Sequence, residues 1–297
     1  MKKLAMVLVC FTSMAVPHKG RAANARDYVP LPDRTFLFCS YLKHISANDL
    51  YTNGQKTSSD FNLNENLGIL RPVYYMKLGK ALYGDGGLVI DPQALLPFGD
   101  AHVDGAAVNQ ASLQSSGIVD PTVLATLWFV NDPAGKLWMG FTPYLTIPLG
   151  AYDKQRTFNL GNNRWAFKPE MGIVKGVGKF YLDLIANVEF YTANDQFNAG
   201  GAQVKKEQDP LLGAEAHLSY DINASWYASV DYFFNYGGQT QLAGVLQRDT
   251  QRSHGLGLSF YWLLGTNNQL LLEYRQDFSV RNGPATDTLG ARWAHFF

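Results

Sequence analysis

The chain has 297 residues, and its 25 Lys and Arg balance its 25 Asp and Glu. A neutral to acidic chain without a basic tract is excluded from the nucleic-acid binders, which need clustered cations against phosphate. Two cysteines, Cys10 and Cys39, are too few for a disulfide framework.

The first element is a leader. Lys2 and Lys3 form a positive start, the run from Leu4 to Phe11 is apolar, and Ala23-Asn24-Ala25 supplies small residues where a signal peptidase reads. Residues 1–25 are therefore expected to be a cleaved signal peptide, cut after Ala25, with Ala23 as the alternative. Cleavage removes Lys2, Lys3, Lys19 and Arg21 and no acid, which leaves the mature chain with four more acidic than basic groups. It also removes Cys10, so Cys39 stands alone. Leu8-Val9 lacks the small residue that acylation of Cys10 would require. Residues 26–34, with Pro30 and Pro32, cannot form a central strand. They either hang in the periplasm or tuck into a lumen as a small plug.

Beyond the leader no stretch reaches the roughly 20 apolar residues of a membrane helix. Twelve extended segments take its place, near 35–45, 61–78, 82–97, 117–130, 136–149, 164–177, 180–192, 207–221, 225–236, 252–264, 268–280 and 286–297. Many alternate with period two, the mark of a strand whose faces meet different surroundings. In 225–236, Trp226, Val230, Phe234 and Tyr236 oppose Tyr227, Ser229, Asp231 and Asn235. In 268–280, Leu270, Leu272, Tyr274 and Phe278 oppose Glu273, Arg275, Asp277 and Ser279.

The connections alternate as well. Those after even segments are short, as in Gly79-Lys80-Ala81, Val177-Gly178-Lys179, Ile222-Asn223-Ala224 and Gly265-Thr266-Asn267. Those after odd segments are long and polar, except the last, Arg281 to Ala285. Tight periplasmic turns alternating with long external loops are an outer-membrane barrel's pattern, and a soluble sandwich has no reason to sort its loops by length. The expected fold is all-β: a transmembrane antiparallel β-barrel of twelve strands over 35–297, with both termini periplasmic in a bacterial outer membrane.

Aromatic residues mark two girdles. Trp226, Trp262, Trp293 and Phe297 fall near the short turns, and Tyr236 and Phe278 near the long loops. The chain closes on alternating Trp293, His295 and Phe297, which resembles the carboxy-terminal strand that barrel-assembly machinery receives. Pro72, Pro92, Pro121, Pro143, Pro148, Pro169 and Pro210 lie in or beside strands and remove ladder donors. Bulges or kinks are expected in strands two to six.

Gly117-Ile118-Val119-Asp120-Pro121-Thr122, the strand Thr142 to Gly150 ending in Pro-x-Gly-x-Tyr, and Lys168-Pro169-Glu170-Met171-Gly172 resemble elements of an outer-membrane barrel family, the MetA-pathway of phenol degradation family. The resemblance extends over most of the mature chain. It implies a transporter-like barrel associated with breakdown of aromatic compounds, and it transfers no catalytic residue.

With apolar faces toward lipid, the opposite faces line a lumen. The candidates are Asp120, Lys168, Glu170, Asp183, Glu189, Glu215, His217, Asp231, Glu273, Arg275, Asp277 and Arg292. They can form a salt-bridged ladder, or an acidic path favouring cations and neutral polar solutes. Gly172, Gly255 and Gly257 leave room beside them. The expected function is a channel for passive uptake of small organic compounds, aromatic or hydrophobic, with lipid, the assembly machinery and the solute as partners. Two alternatives remain, a structural barrel without transport and a lipid hydrolase using His217 and Ser219 with Asp231 orienting the His. The histidines are scattered without ligand spacing and no phosphate loop precedes a helix, so neither metal nor cofactor is expected.

Overall fold

In the computed structural model, residues 23–79 and 88–297 are described. The expected leader lies outside them as far as Ala22, and so do the turn residues Lys80 and Ala81 and the start of the segment expected from 82.

Twelve strands close into one antiparallel barrel: β1 (Phe36–Thr52), β2 (Asn62–Tyr74), β3 (Leu88–Asp104), β4 (Thr122–Asp132), β5 (Leu137–Thr146), β6 (Ala166–Val177), β7 (Phe180–Tyr191), β8 (Leu211–Asp221), β9 (Trp226–Gly237), β10 (Gln251–Leu264), β11 (Asn268–Val280) and β12 (Gly283–Phe296). Each pairs with its sequence neighbours, and β1 pairs with β12 from Leu37 opposite Phe296 to Tyr51 opposite Gly283. Closure leaves no free ladder, as spanning a bilayer with strands demands. Between β6 and β7 the turn is only Gly178-Lys179, and Gly178 takes φ 59, a value that glycine reaches without strain.

The alternation is inside-out relative to a soluble protein. Leu42, Val230, Leu258, Leu272 and Leu289 are exposed on the outer wall, whereas Lys43, Asp183, His217, Asp231 and Arg292 are buried inside. Trp226 and Trp262 are register partners stacked 4.6 Å apart on the outer face near a short turn, beside the exposed Trp293 and Phe297.

Several strands outrun the sequence expectation on the long-loop side. β1 continues past 45 to Thr52, β3 runs to Asp104, and β12 begins at Gly283. There the outward residues are polar. Asn62 donates to Asp104 at 2.7 Å, and His44 meets Asn66 at 2.9 Å, while Leu63, Ala101 and Val103 turn inward with Phe61. A strand top that stands clear of lipid has water outside, so its apolar side turns in. The long loops also carry a four-stranded sheet of their own: Asn194–Asn198, Gln203–Gln208, Thr240–Leu242 and Val245–Leu246.

The prolines interrupt the wall where strands two to four meet. The β2–β3 ladder skips Arg71 and Pro72, passing from Leu70 opposite Leu96 to Val73 opposite Gln93. Leu113–Ile118 pairs with β3 but is separated from β4 by residues 119–121, which include Pro121. Pro143 and Pro169 instead face each other within a continuous β5–β6 ladder.

Candidate functional site

Residues 23–31 are buried or half-buried inside the barrel, against inward-facing wall side chains. This segment, called the plug below, precedes β1 and leads out at the short-turn end, where Pro32 and Asp33 are exposed and the Arg34 N–H donates to the Tyr75 carbonyl. Its contacts are polar and reach most of the circumference. The Arg26 N–H donates to Asp183 at 2.6 Å, its Nε donates to the Ser219 hydroxyl at 2.9 Å, and its Nη1 pairs with Asp221 at 2.7 Å. Its guanidinium also lies between the rings of Tyr181 and Tyr227, at 3.9 and 4.2 Å. Asp27 sits between Arg71 at 3.5 Å and Arg292 at 3.3 Å. The Tyr28 hydroxyl donates to Glu170 at 3.0 Å and meets Thr142 at 2.9 Å, while its carbonyl accepts from Trp128 Nε1 at 2.8 Å.

Tyr28 fits because two wall residues have no side chain. A Cβ on Gly172 would come within 2.3 Å of its ring, and one on Gly140 within 3.1 Å. Gly257 and Gly255 serve the wall itself: a Cβ there would meet Phe233 at 3.2 Å and Asp277 at 3.1 Å respectively.

The twelve lumen candidates divide by partner. Lys168 pairs with Glu170 at 2.9 Å, and Glu170 also accepts from Tyr144 at 3.0 Å and Asn187 at 3.1 Å. His217 is the register partner of Asp231, with Nδ1 at 2.7 Å from its carboxylate and Nε2 at 3.4 Å from Glu215. Asp231 further accepts from Ser229 at 2.8 Å and Ser259 at 2.7 Å. Glu273 pairs with Lys43 at 2.7 Å, across the β12 strand, and Arg275 lies 3.9 Å over the Phe233 ring and 3.7 Å from Asp277. Asp277 holds the Thr286 hydroxyl at 2.8 Å, and Glu189 accepts from Tyr191 at 3.0 Å. Asp120 is in a different place. It lies in the 119–121 break and binds the backbone N–H groups of Gly150 and Asn162 at 2.9 and 2.7 Å, so it ties external loops together.

Sequence reasoning missed Lys43, Glu65, Arg71, Asp91 and Gln93 on β1 to β3, all inward, and underrated the positive charge inside. With Lys43, Arg71 and Arg26 added, the carboxylates largely meet cations or hydroxyls, which favours the ladder over an acidic cation path. The hydrolase constellation does not assemble: both His217 nitrogens face carboxylates, and the Ser219 hydroxyl takes the Arg26 Nε–H.

Along the axis the lumen has three zones. An apolar cluster of Phe61, Leu63, Val103, Val108, Phe158 and Leu160 lies toward the long loops. The charged belt and plug follow. Toward the short turns the wall is aromatic, with Tyr75 near Trp128 at 5.9 Å, Trp138 stacked on Tyr181 at 6.4 Å, and Tyr227 stacked on Tyr261 at 4.1 Å. Between plug and wall, near Tyr41, Arg71 and Thr142, one cavity of about 30 Å³ has room for a water or two.

A separate cleft of about 40 Å³ opens among the external loops, lined by Tyr152, Phe158, Arg164, Asn194, Phe197 and Lys206. Arg164 stacks over Tyr191 at 4.2 Å and Lys206 over Phe197 at 4.6 Å. Burial, reinforced by Arg164, pulls the Lys206 amine down to about 7, with Asp249 opposing. Among the described residues no group of three or more His, Cys, Asp and Glu is arranged to hold a metal ion.

Comparison with solved structures returns the same architecture. The chain is 30% identical to the COG4313 outer membrane channel from Pseudomonas putida F1, covering 93% of this chain and all of that one, with a TM-score of 0.86. The transport unit of the autotransporter AIDA-I from Escherichia coli shares the fold at 8% identity and TM-score 0.54, covering 96% of this chain and 95% of that one. The β-domain of the Bordetella autotransporter BrkA does so at 11% identity and TM-score 0.50, covering 89% and 100%. No functionally curated protein matches the chain. The profile of the family described as putative MetA-pathway of phenol degradation matches residues 47–293, and this outer-membrane β-barrel of channel type belongs to that family.

Proposed function

We propose that the barrel passes small organic solutes, aromatic compounds among them, by passive diffusion, and that residues 23–33 close the path at rest. The observation that carries this reading is the lumen's composition. Stacked tyrosines and tryptophans line its short-turn half, and the belt above them is held by hydrogen bonds and ion pairs that water or a polar solute can replace. Flat rings offer a planar solute offset-stacked contacts at little entropic cost, and hydroxyls suit a phenolic or carboxylate substituent. The family's description and the relative that is an outer membrane channel support the same direction.

The residues assigned to the lumen act as two layers. Lys168, Glu170, Asp183, Glu215, His217, Asp231, Glu273 and Arg292 hold the plug or the wall behind it, whereas Glu189, Arg275 and Asp277 brace strands nearer the long loops. Both termini are periplasmic in this reading, because β1 starts and β12 ends at the short-turn side. Trp293, His295 and Phe297 form the segment offered to the assembly machinery during insertion. Deleting Phe297 is expected to lower the folded barrel in outer membranes, read as heat-modifiable migration on gels.

Purified protein in liposomes tests the transport reading. Phenol, benzoate and toluene are expected to enter faster than through protein-free vesicles. A barrel that speeds none of them, with the plug present or displaced, refutes the proposal and favours a structural role.

A further inference from the structure

By sequence, Ala23, Asn24 and Ala25 end the leader, yet all three are built into the barrel. Ala23 packs with Tyr28, Val73 and Trp128, and Ala25 with Tyr227, Tyr261 and Leu271. The Ala25 N–H donates to the Tyr261 hydroxyl at 3.1 Å. The Asn24 amide donates to Glu273 at 3.0 Å, and its oxygen faces Arg292 Nη1 at 3.5 Å. Finally, the Ala23 nitrogen lies 3.1 Å from Glu215 Oε2, whose other close neighbour is His217. A cut after Ala25 would discard every one of these contacts. It would leave Glu273, Tyr261 and Glu215 without donors they now hold, in a region where unpaired polar groups are costly.

A second cleavage register exists three residues earlier. Gly20 and Ala22 are both small and stand at the two positions a signal peptidase reads for a cut before Ala23. We propose that the leader is removed between Ala22 and Ala23, and that the α-ammonium so released is an internal ligand of the barrel, bound by Glu215. Water adds across the Ala22–Ala23 peptide bond. Ala22 leaves with the new carboxylate, and Ala23 keeps the nitrogen, which takes up a proton. One neutral N–H facing Glu215 thereby becomes a cation with three donors, the kind of charge-assisted contact that is markedly stronger than a neutral one. The amine then heads a continuous line of groups, from Glu215 to His217 to Asp231, that crosses from plug to wall. Cleavage thus supplies the plug with its terminal anchor, which Glu215 binds once the barrel has closed around it.

Intact mass of the protein purified from outer membranes decides the first half. A chain beginning at Ala23 is expected, and a mass lower by Ala23, Asn24 and Ala25 overturns the assignment. An amine-reactive reagent applied near neutral pH to the folded barrel decides the second. The α-amine is expected to be protected in the native protein and to label roughly tenfold faster in Glu215→Gln, with Glu215→Asp in between. Equal labelling in native protein and Glu215→Gln overturns the anchor. Should Glu215→Gln fail to fold, an α-amine as reactive in the native barrel as in urea overturns it equally. Neither readout depends on transport.

Discussion

At the scale of single residues, the proposed closed state depends on atoms that are absent as much as on those present. Gly172 makes room for the Tyr28 ring, and a methyl group there would stand 2.3 Å from it. Because that clash falls on the plug and leaves the ladder with β7 intact, Gly172→Ala is expected to displace Tyr28 without unfolding the barrel. Single-channel recordings should then show larger or more frequent conductance than the unaltered protein; an unchanged trace would mean that Tyr28 is not the closing element. His217 and Asp231 are a buried pair whose remaining oxygen sites are filled by Ser229 and Ser259. Asp231→Asn removes the charge opposite the imidazole and is expected to cost about 3 kcal/mol or more, read as a lower urea midpoint for the folded barrel. The inward position of both residues was legible from alternation alone. Their proximity was legible too, since adjacent strands set Asp231 to orient His217; what was not legible is that Glu215 faces the other imidazole nitrogen and that Arg26 takes the Ser219 hydroxyl.

At the scale of elements, the readable parts are those that touch lipid. Where a strand crosses the bilayer its outer face must be apolar, so Leu270, Leu272 and Tyr274 announce β11. Above the bilayer the contrast reverses, and Asn62, Asn64 and Asn66 point to water while Leu63 and Leu67 turn inward. That reversal is why Glu65, one of few charges on an otherwise apolar inner face, escaped notice, and why strand ends were drawn too short. The external four-stranded sheet was hidden for the same reason: with water on one side and loops on the other, it has no lipid-facing alternation. Lys206 in that sheet gives it a pH dependence. Its amine ordinarily titrates near 10.5 and is held at about 7 in the fold by burial and by Arg164, against the pull of Asp249. The folded sheet therefore binds fewer protons than the opened one between those values, and its stability falls as pH drops from the upper toward the lower. Lys206→Met is expected to slow amide exchange in Gln203–Gln208 relative to the native sheet. The gain should be larger near about pH 6 than about pH 8, after correction for intrinsic rates.

At the scale of the whole molecule, the proposed transport has the plug shift to open the path. Flux of aromatic solutes through liposomes is expected to rise in Gly172→Ala over the native barrel, and rise less for a bulky aliphatic of similar polarity. Equal enhancement for both would assign selectivity to pore size and not to the ring-lined wall. The amino-acid sequence by itself determined that the chain is a twelve-stranded barrel, and, for the strand stretches that cross the bilayer with clear alternation, which side chains face lipid and which face inward. It did so because a bilayer imposes one chemical rule on every strand that crosses it, and local period-two alternation records that rule. Only the tertiary structure brought residues 23–31 against inward-facing side chains, set Glu273 beside Lys43 across β12, and put Asp120 with the loops. Those facts depend on which strands are brought opposite one another, and on a segment with no periodicity whose polar groups find partners only once the barrel has closed around them.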